Sequence, residues 1–152
     1  MSTVYADPFC QAIEQVFKLM LDIEVFSCSS DAGLSCANEQ EVAVVVELTG
    51  DIEGVVLFRF PQSTTLKIVK LMCGMEIDQL DAFVTSAMAE MSNIISGNAV
   101  TNLSQENYHC DIRPPQIMIG DRDKLPLNLK SSIPLQSAVG YIQIDMSLEK
   151  SR

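Results

Sequence analysis

Residues 41–60 read EVAVVVELTG and then DIEGVVLFRF, two valine-rich runs parted by Thr49-Gly50-Asp51. β-Branched and aromatic side chains suit the pleated surface of a sheet, and both runs have strand length. Gly50 can take a positive φ without steric cost, so the pair predicts an antiparallel hairpin closed by a tight turn.

Outward from the hairpin, the pattern changes to helical spacing. QSTTLKIVKLMC, about 62–73, predicts a helix ending at Gly74 as a C-cap. A longer helix is expected from about Asp78 to Ser104. After it come YHCDI, QIMIG, the polar loop DRDKLPLNLKS and a final strand, YIQIDMSLE, with partial alternation. On the other side, Ile23 to Cys28 reads as a short strand, and SSDAGLSCANEQ as a polar turn region. Asp7-Pro8 reads as a helix start, with Asp7 as N-cap and Pro8 at the first helical position. Phe9, Ile13, Val16, Phe17 and Met20 then keep helical spacing to about residue 21. The expected class is α+β: a largely antiparallel sheet covered on one face by helices. A helix followed by strands and a hairpin occurs from residue 8 and again from about residue 78, a weak internal pseudo-twofold symmetry.

The 152 residues fit one domain, and 47% apolar residues can build a core. A net charge of −10 argues against nucleic acid or an anionic membrane as partner, since both need clustered Lys and Arg, and the acidic residues outside the long helix read as solvated surface. No segment has the length of a membrane span, and MSTVYADPFC lacks the pattern of a signal peptide. The cytoplasm is the expected location. Five cysteines, Cys10, Cys28, Cys36, Cys73 and Cys110, form no CxxC pair, and His109 beside Cys110 lacks zinc-type spacing. They are expected to be reduced thiols serving as small apolar residues, with no metal or cofactor of the chain's own.

On the long helix, Leu80, Phe83, Val84, Ala87, Met88, Met91, Ile94 and Ile95 fall on one broad arc, the expected core face. Ser86, Glu90, Asn93 and Gly97, spaced by four, three and four, form a narrow stripe beside it. Any amphipathic helix must put polar residues somewhere. Asn93 and Gly97, however, are poor helix formers, with Gly costing about 1 kcal/mol relative to Ala. A helix accepting both on one stripe trades stability for close approach by something else.

This segment resembles the signature helix of the CheC/CheX/FliY family of chemotaxis phosphatases. That pattern is Ser or Asp, three residues, Glu, two residues, Asn, and a proline a little over twenty residues later. Ser86, Glu90, Asn93 and Pro115 match it here, and the flanking EMSNIISGNA is especially like the CheX branch. The hairpin, the helix after it and the opening DPFCQAIEQVFKLM match in order, so the likeness spans roughly residues 8–147. In the first helix Glu14 is followed three positions later by Phe17 rather than Asn. The first half therefore lacks the pair, which favours CheX over CheC.

The resemblance implies a substrate, the phosphoaspartate of a CheY-type response regulator, and Glu90 and Asn93 as the catalytic pair. It implies that Asn93 holds the attacking water and that Glu90 pairs with a lysine of the regulator. Any Mg²⁺ would be carried by the phosphorylated regulator. Pro115 is expected to shape a turn, and Ser86 and Gly97 to meet the partner, Gly97 by leaving room for its loops. The family also implies a homodimer joined sheet to sheet, with the final strand or a neighbour as the edge. Two rivals stand beside this reading: a non-catalytic module that binds a response regulator or the flagellar switch, and a redox protein using Cys28 and Cys36.

Overall fold

The computed structural model describes residues 5–28, 40–121, 129 and 131–151. Most of the polar loops at 29–40 and 121–131, with Cys36, lie outside the described residues. The elements are α1 (Ala6–Leu21), β1 (Val25–Ser27), β2 (Gln40–Gly50), β3 (Ile52–Pro61), α2 (Gln62–Cys73), α3 (Ala82–Gln105), β4 (Cys110–Ile112), β5 (Gln116–Asp121), β6 (Ser131–Ser137) and β7 (Gly140–Lys150).

The hairpin forms as expected. Val44 stands opposite Phe58 and Val46 opposite Val56. Gly50 has φ 111°, and a Cβ there would lie 2.5 Å from the His109 carbonyl oxygen. The turn therefore needs glycine for both its dihedral and its close backbone approach. Among the described residues seven strands make one sheet in the order β1-β6-β7-β3-β2-β4, with β5 also paired to β2. Every pairing is antiparallel. Alternate residues of the inner strands, among them Val42, Val44, Phe58, Phe60, Ile142 and Ile144, bury one face against Phe9, Ile13, Phe17, Ile68, Met88 and Ile95 of the three helices. This is the expected α+β layering.

The sheet order carries the internal symmetry. The run α1-β1-β2-β3 is matched in chain order by α3-β4-β6-β7, and the matched strands take mirrored places in the sheet, so a pseudo-twofold axis runs between β3 and β7.

Four expectations are corrected. First, α1 starts at Ala6 after Tyr5, and no side chain caps it. Asp7 sits inside the first turn, where its charge complements the helix dipole. The missing N–H of Pro8 still falls among the four donors that a helix start leaves free. Second, α3 starts at Ala82 rather than near 78, because the Asp81 carboxylate accepts from the Val84 N–H at 3.0 Å. Third, YIQIDMSLE is no sheet edge. As β7 it lies between β6 and β3, and a strand not anticipated, SSIPLQS, flanks it. Pro134 within β6 is tolerated because it stands just past the end of β1, where its carbonyl accepts from the Cys28 N–H.

Fourth, the acidic residues outside the long helix are not all surface. On the sheet face away from the helices, Glu41 is 1% and Asp145 7% exposed. Arg59 on β3 reaches both: Nη2 to Glu41 Oε1 at 2.8 Å and Nη1 to Asp145 Oδ2 at 3.0 Å. Gln143 donates to Asp145 Oδ1, and the Tyr141 hydroxyl donates to Gln143, each at 2.8 Å. Burial of these charges is possible because each is paired and hydrogen-bonded.

Candidate functional site

Helix α3 holds its stripe by what it buries on the other side. Val84, Met88, Met91, Ile95, Ala99 and Leu103 face the core. Ser92 and Ser96 are also buried, while Phe83 is 49% and Ile94 36% exposed. Phe83 and Ile94 thus leave the expected core arc. The buried arc is rotated toward the two serines, whose small side chains fit the close packing under the helix.

Ser86, Glu90, Asn93 and Gly97 are all exposed. Ser86, Ala89, Glu90 and Asn93 form one wall of an open groove of about 470 Å³, and Ile112 to Pro115 form the other. Glu90 and Asn93 are about 4.5 Å apart along the helix axis. Neither side chain has a hydrogen-bond or ion-pair partner among the described residues. Gly97 lies one turn beyond the groove and does not line it. A Cβ there would meet nothing within 4 Å, so packing within the chain does not require glycine.

The second wall is pinned. Ile112 pairs with Leu48, and the Arg113 N–H donates to the Glu47 carbonyl at 3.1 Å. The Arg113 guanidinium also meets the Glu47 carboxylate at 3.2 Å. Pro114 and Pro115 then stiffen the passage from β4 to β5. The structure therefore brings together Ser86, Glu90, Asn93 and Pro115, separated by up to 29 positions in sequence. Ala89, Ile112, Arg113 and Pro114 were not anticipated as lining residues. Ala89 sits one position from Glu90, and its exposure on the groove side follows only from the rotation of the helix.

The first half shows what the pair would need. Phe9, Ile13, Val16, Phe17 and Leu21 of α1 are buried in the same rhythm as Val84, Met88, Met91, Ser92 and Ser96 of α3. In that register Gln15 and Lys18, not Glu14 and Phe17, stand where Glu90 and Asn93 stand. Phe17 is fully buried and its side chain cannot face a groove. The first half lacks the pair in either register.

Cys10, Cys28, Cys73 and Cys110 are free thiols. Burial, with smaller contributions from the Asp7 and Glu14 carboxylates, raises Cys10 from 9.0 to about 11, which favours the protonated thiol. Burial raises Cys28 as well. Among the described residues no three His, Cys, Asp or Glu side chains are placed to hold a metal ion, and no helix is long and apolar enough to cross a membrane.

The model of the chemotaxis phosphatase CheX matches residues 42–134, more than half of the chain. The chain belongs to the CheX family. The curated CheY-P phosphatase CheX of Thermotoga maritima is 38% identical over 80 residues, 52% of this chain and 52% of that protein. The match thus spans about half the length of that relative. The crystal structure of the chemotaxis protein CheX from Vibrio vulnificus superimposes with a TM-score of 0.82 at 21% identity, covering 96% of this chain and 97% of that one. The CheX of the CheX-CheY-BeF3-Mg²⁺ complex from Borrelia burgdorferi gives 0.72 at 23% identity, covering 98% and 100%. At these identities the two structures bear on the fold.

Proposed function

We propose that this chain is a single-domain, cytoplasmic phosphatase that hydrolyses the phosphoaspartate of a CheY-type response regulator. One observation carries the reading: Glu90 and Asn93 stand side by side over an open groove, unpaired among the described residues, on a helix buried along its opposite face. Such side chains are positioned for a partner.

An acyl phosphate is already reactive, so catalysis consists mainly of placing a water in line with the scissile bond. The Asn93 carboxamide can accept from that water and donate to a second oxygen without changing charge. The water oxygen bonds to phosphorus. The acyl oxygen leaves with the bonding pair as the regulator's carboxylate, and the water's proton passes to phosphate and solvent. Glu90 fixes the docking by pairing with a lysine of the regulator, since a carboxylate beside the phosphoryl group would repel it. Ser86 and Gly97 border the docked partner. Mg²⁺ enters with the regulator, an arrangement carried over from the Borrelia burgdorferi complex that unites a CheX with CheY, BeF3 and Mg²⁺. We assign a homodimer joined at a sheet edge that has no second strand among the described residues, β1 or β5, and light scattering tests its stoichiometry.

The test is decay of phosphorylated CheY-type regulators with Mg²⁺. Wild-type protein accelerates decay, and Asn93→Ala loses about a hundredfold or more, the scale expected when a reacting group is misplaced. A folded Asn93→Ala with full activity would rule out the water-positioning role. Binding without acceleration by wild type, for every regulator tried, would favour the non-catalytic module.

A further inference from the structure

The groove does not end at Ser86. Ser86 and Ala89 also line a shallow depression of about 510 Å³, together with Thr85 on α3 and Ile117 and Ile119 on β5. Ile117 stands opposite Val44 and Ile119 opposite Val42. Val42 and Val44 enter the core, so both isoleucines point to the helix side of the sheet. Ile117 packs against the core, while Ile119 remains 41% exposed. Among the described strands β5 pairs with β2 alone. One continuous trough is therefore polar at Glu90 and Asn93 and apolar at Ile117 and Ile119.

Scale decides what covers the apolar end. Thr85 is about 12 Å from Asn93 along the helix axis. A specific protein partner covers on the order of 800 Å² per side, a patch of roughly 16 Å radius. A partner patch of that size centred near Asn93 reaches the depression that Thr85 and Ile119 line, and the centre of such a patch favours apolar contact. A small acyl phosphate would leave it bare.

We propose that the Ile117–Ile119 shelf selects the substrate: it receives an apolar side chain of the response regulator that flanks the phosphoaspartate. This rests on the phosphatase reading and assigns partner selectivity to the same groove. The electrostatic contact at Glu90 fixes orientation, and the shelf discriminates among regulators by the size of the apolar group it meets.

The experiment is steady-state hydrolysis of a panel of phosphorylated regulators by wild type, Ile119→Asp, Ile119→Val and, as a distant control, Leu19→Asp, whose parent is exposed on α1. Ile119→Asp raises KM about tenfold, the effect of losing one well-packed apolar contact, and changes kcat less than twofold. Ile119→Val stays near wild type but reorders the panel, and Leu19→Asp changes nothing. Where Ile119→Asp lowers the melting temperature, Thr85→Arg on the opposite wall replaces it. Unchanged KM for every accelerated regulator, or a fall in kcat alone, overturns the proposal. So does conversion of a dimer to a monomer at unchanged KM, which would put a second copy of the chain on the shelf. Failure of the phosphatase reading is distinct, since it appears as no acceleration by wild type for any regulator.

Discussion

Glu90 and Asn93 would fail differently when changed, and the difference separates docking from chemistry. Glu90→Gln keeps the length and helix propensity of the side chain and removes its charge. If Glu90 pairs with a lysine at the interface, the variant raises KM about tenfold, from loss of a charge pair worth roughly 1–2 kcal/mol there, and leaves kcat within a factor of about two. Initial-rate measurements across regulator concentration check this. A loss confined to kcat would make the carboxylate a participant in the chemical step. That Glu90 and Asn93 share a direction was legible in the sequence, because a spacing of three on a helix fixes it. The pair's first-half counterpart was not. Choosing Glu14 and Phe17 over Gln15 and Lys18 is a slip of one residue, or 100° around the helix, and only the burial of Phe17 resolves it.

At the scale of the element, α3 is held in place at some cost. The Ser92 and Ser96 hydroxyls are fully buried and find no hydrogen-bond partner among the described residues. A buried hydroxyl without a partner costs about 1–3 kcal/mol. Ser92→Ala and Ser96→Ala, each of nearly the same volume, should therefore raise unfolding free energy by about 1 kcal/mol, read from urea midpoints at unchanged m. A destabilised alanine variant would mean that the hydroxyls have a role in packing. These serines also explain why the face of α3 was only partly legible. Phe83 and Ile94 outrank Ser92 and Ser96 in hydrophobicity, so a pattern-based reading puts the wrong pair inside. The hairpin of β2 and β3 was fully legible from its valines and Gly50. SSIPLQS was not, because Pro134 and three serines mask a strand that depends on β7 for its pairing.

Across the whole molecule, the two pseudo-equivalent halves meet at β3 and β7, and the Arg59 network straddles that line. Arg59 comes from the first half, Asp145 and Gln143 from the second, and Glu41 from the neighbouring β2. Alternation alone makes these residues look like a solvated sheet face. Their pairing depends on the register that sets β3 against both β2 and β7, which composition does not reveal. Breaking one member of a buried ion network leaves the others uncompensated, at about 3–5 kcal/mol. Against a total stability of roughly 5–15 kcal/mol that is a large share. Arg59→Ala should therefore lower the urea midpoint steeply. The triple variant Arg59→Met, Glu41→Leu, Asp145→Leu should recover most of the loss, since well-packed apolar groups often replace buried ions without penalty. Equal losses in the single and triple variants would show that the network contributes more than its own desolvation, as a clamp between the halves. A loss below about 1 kcal/mol in Arg59→Ala would instead put these charges in the energetic class of surface pairs.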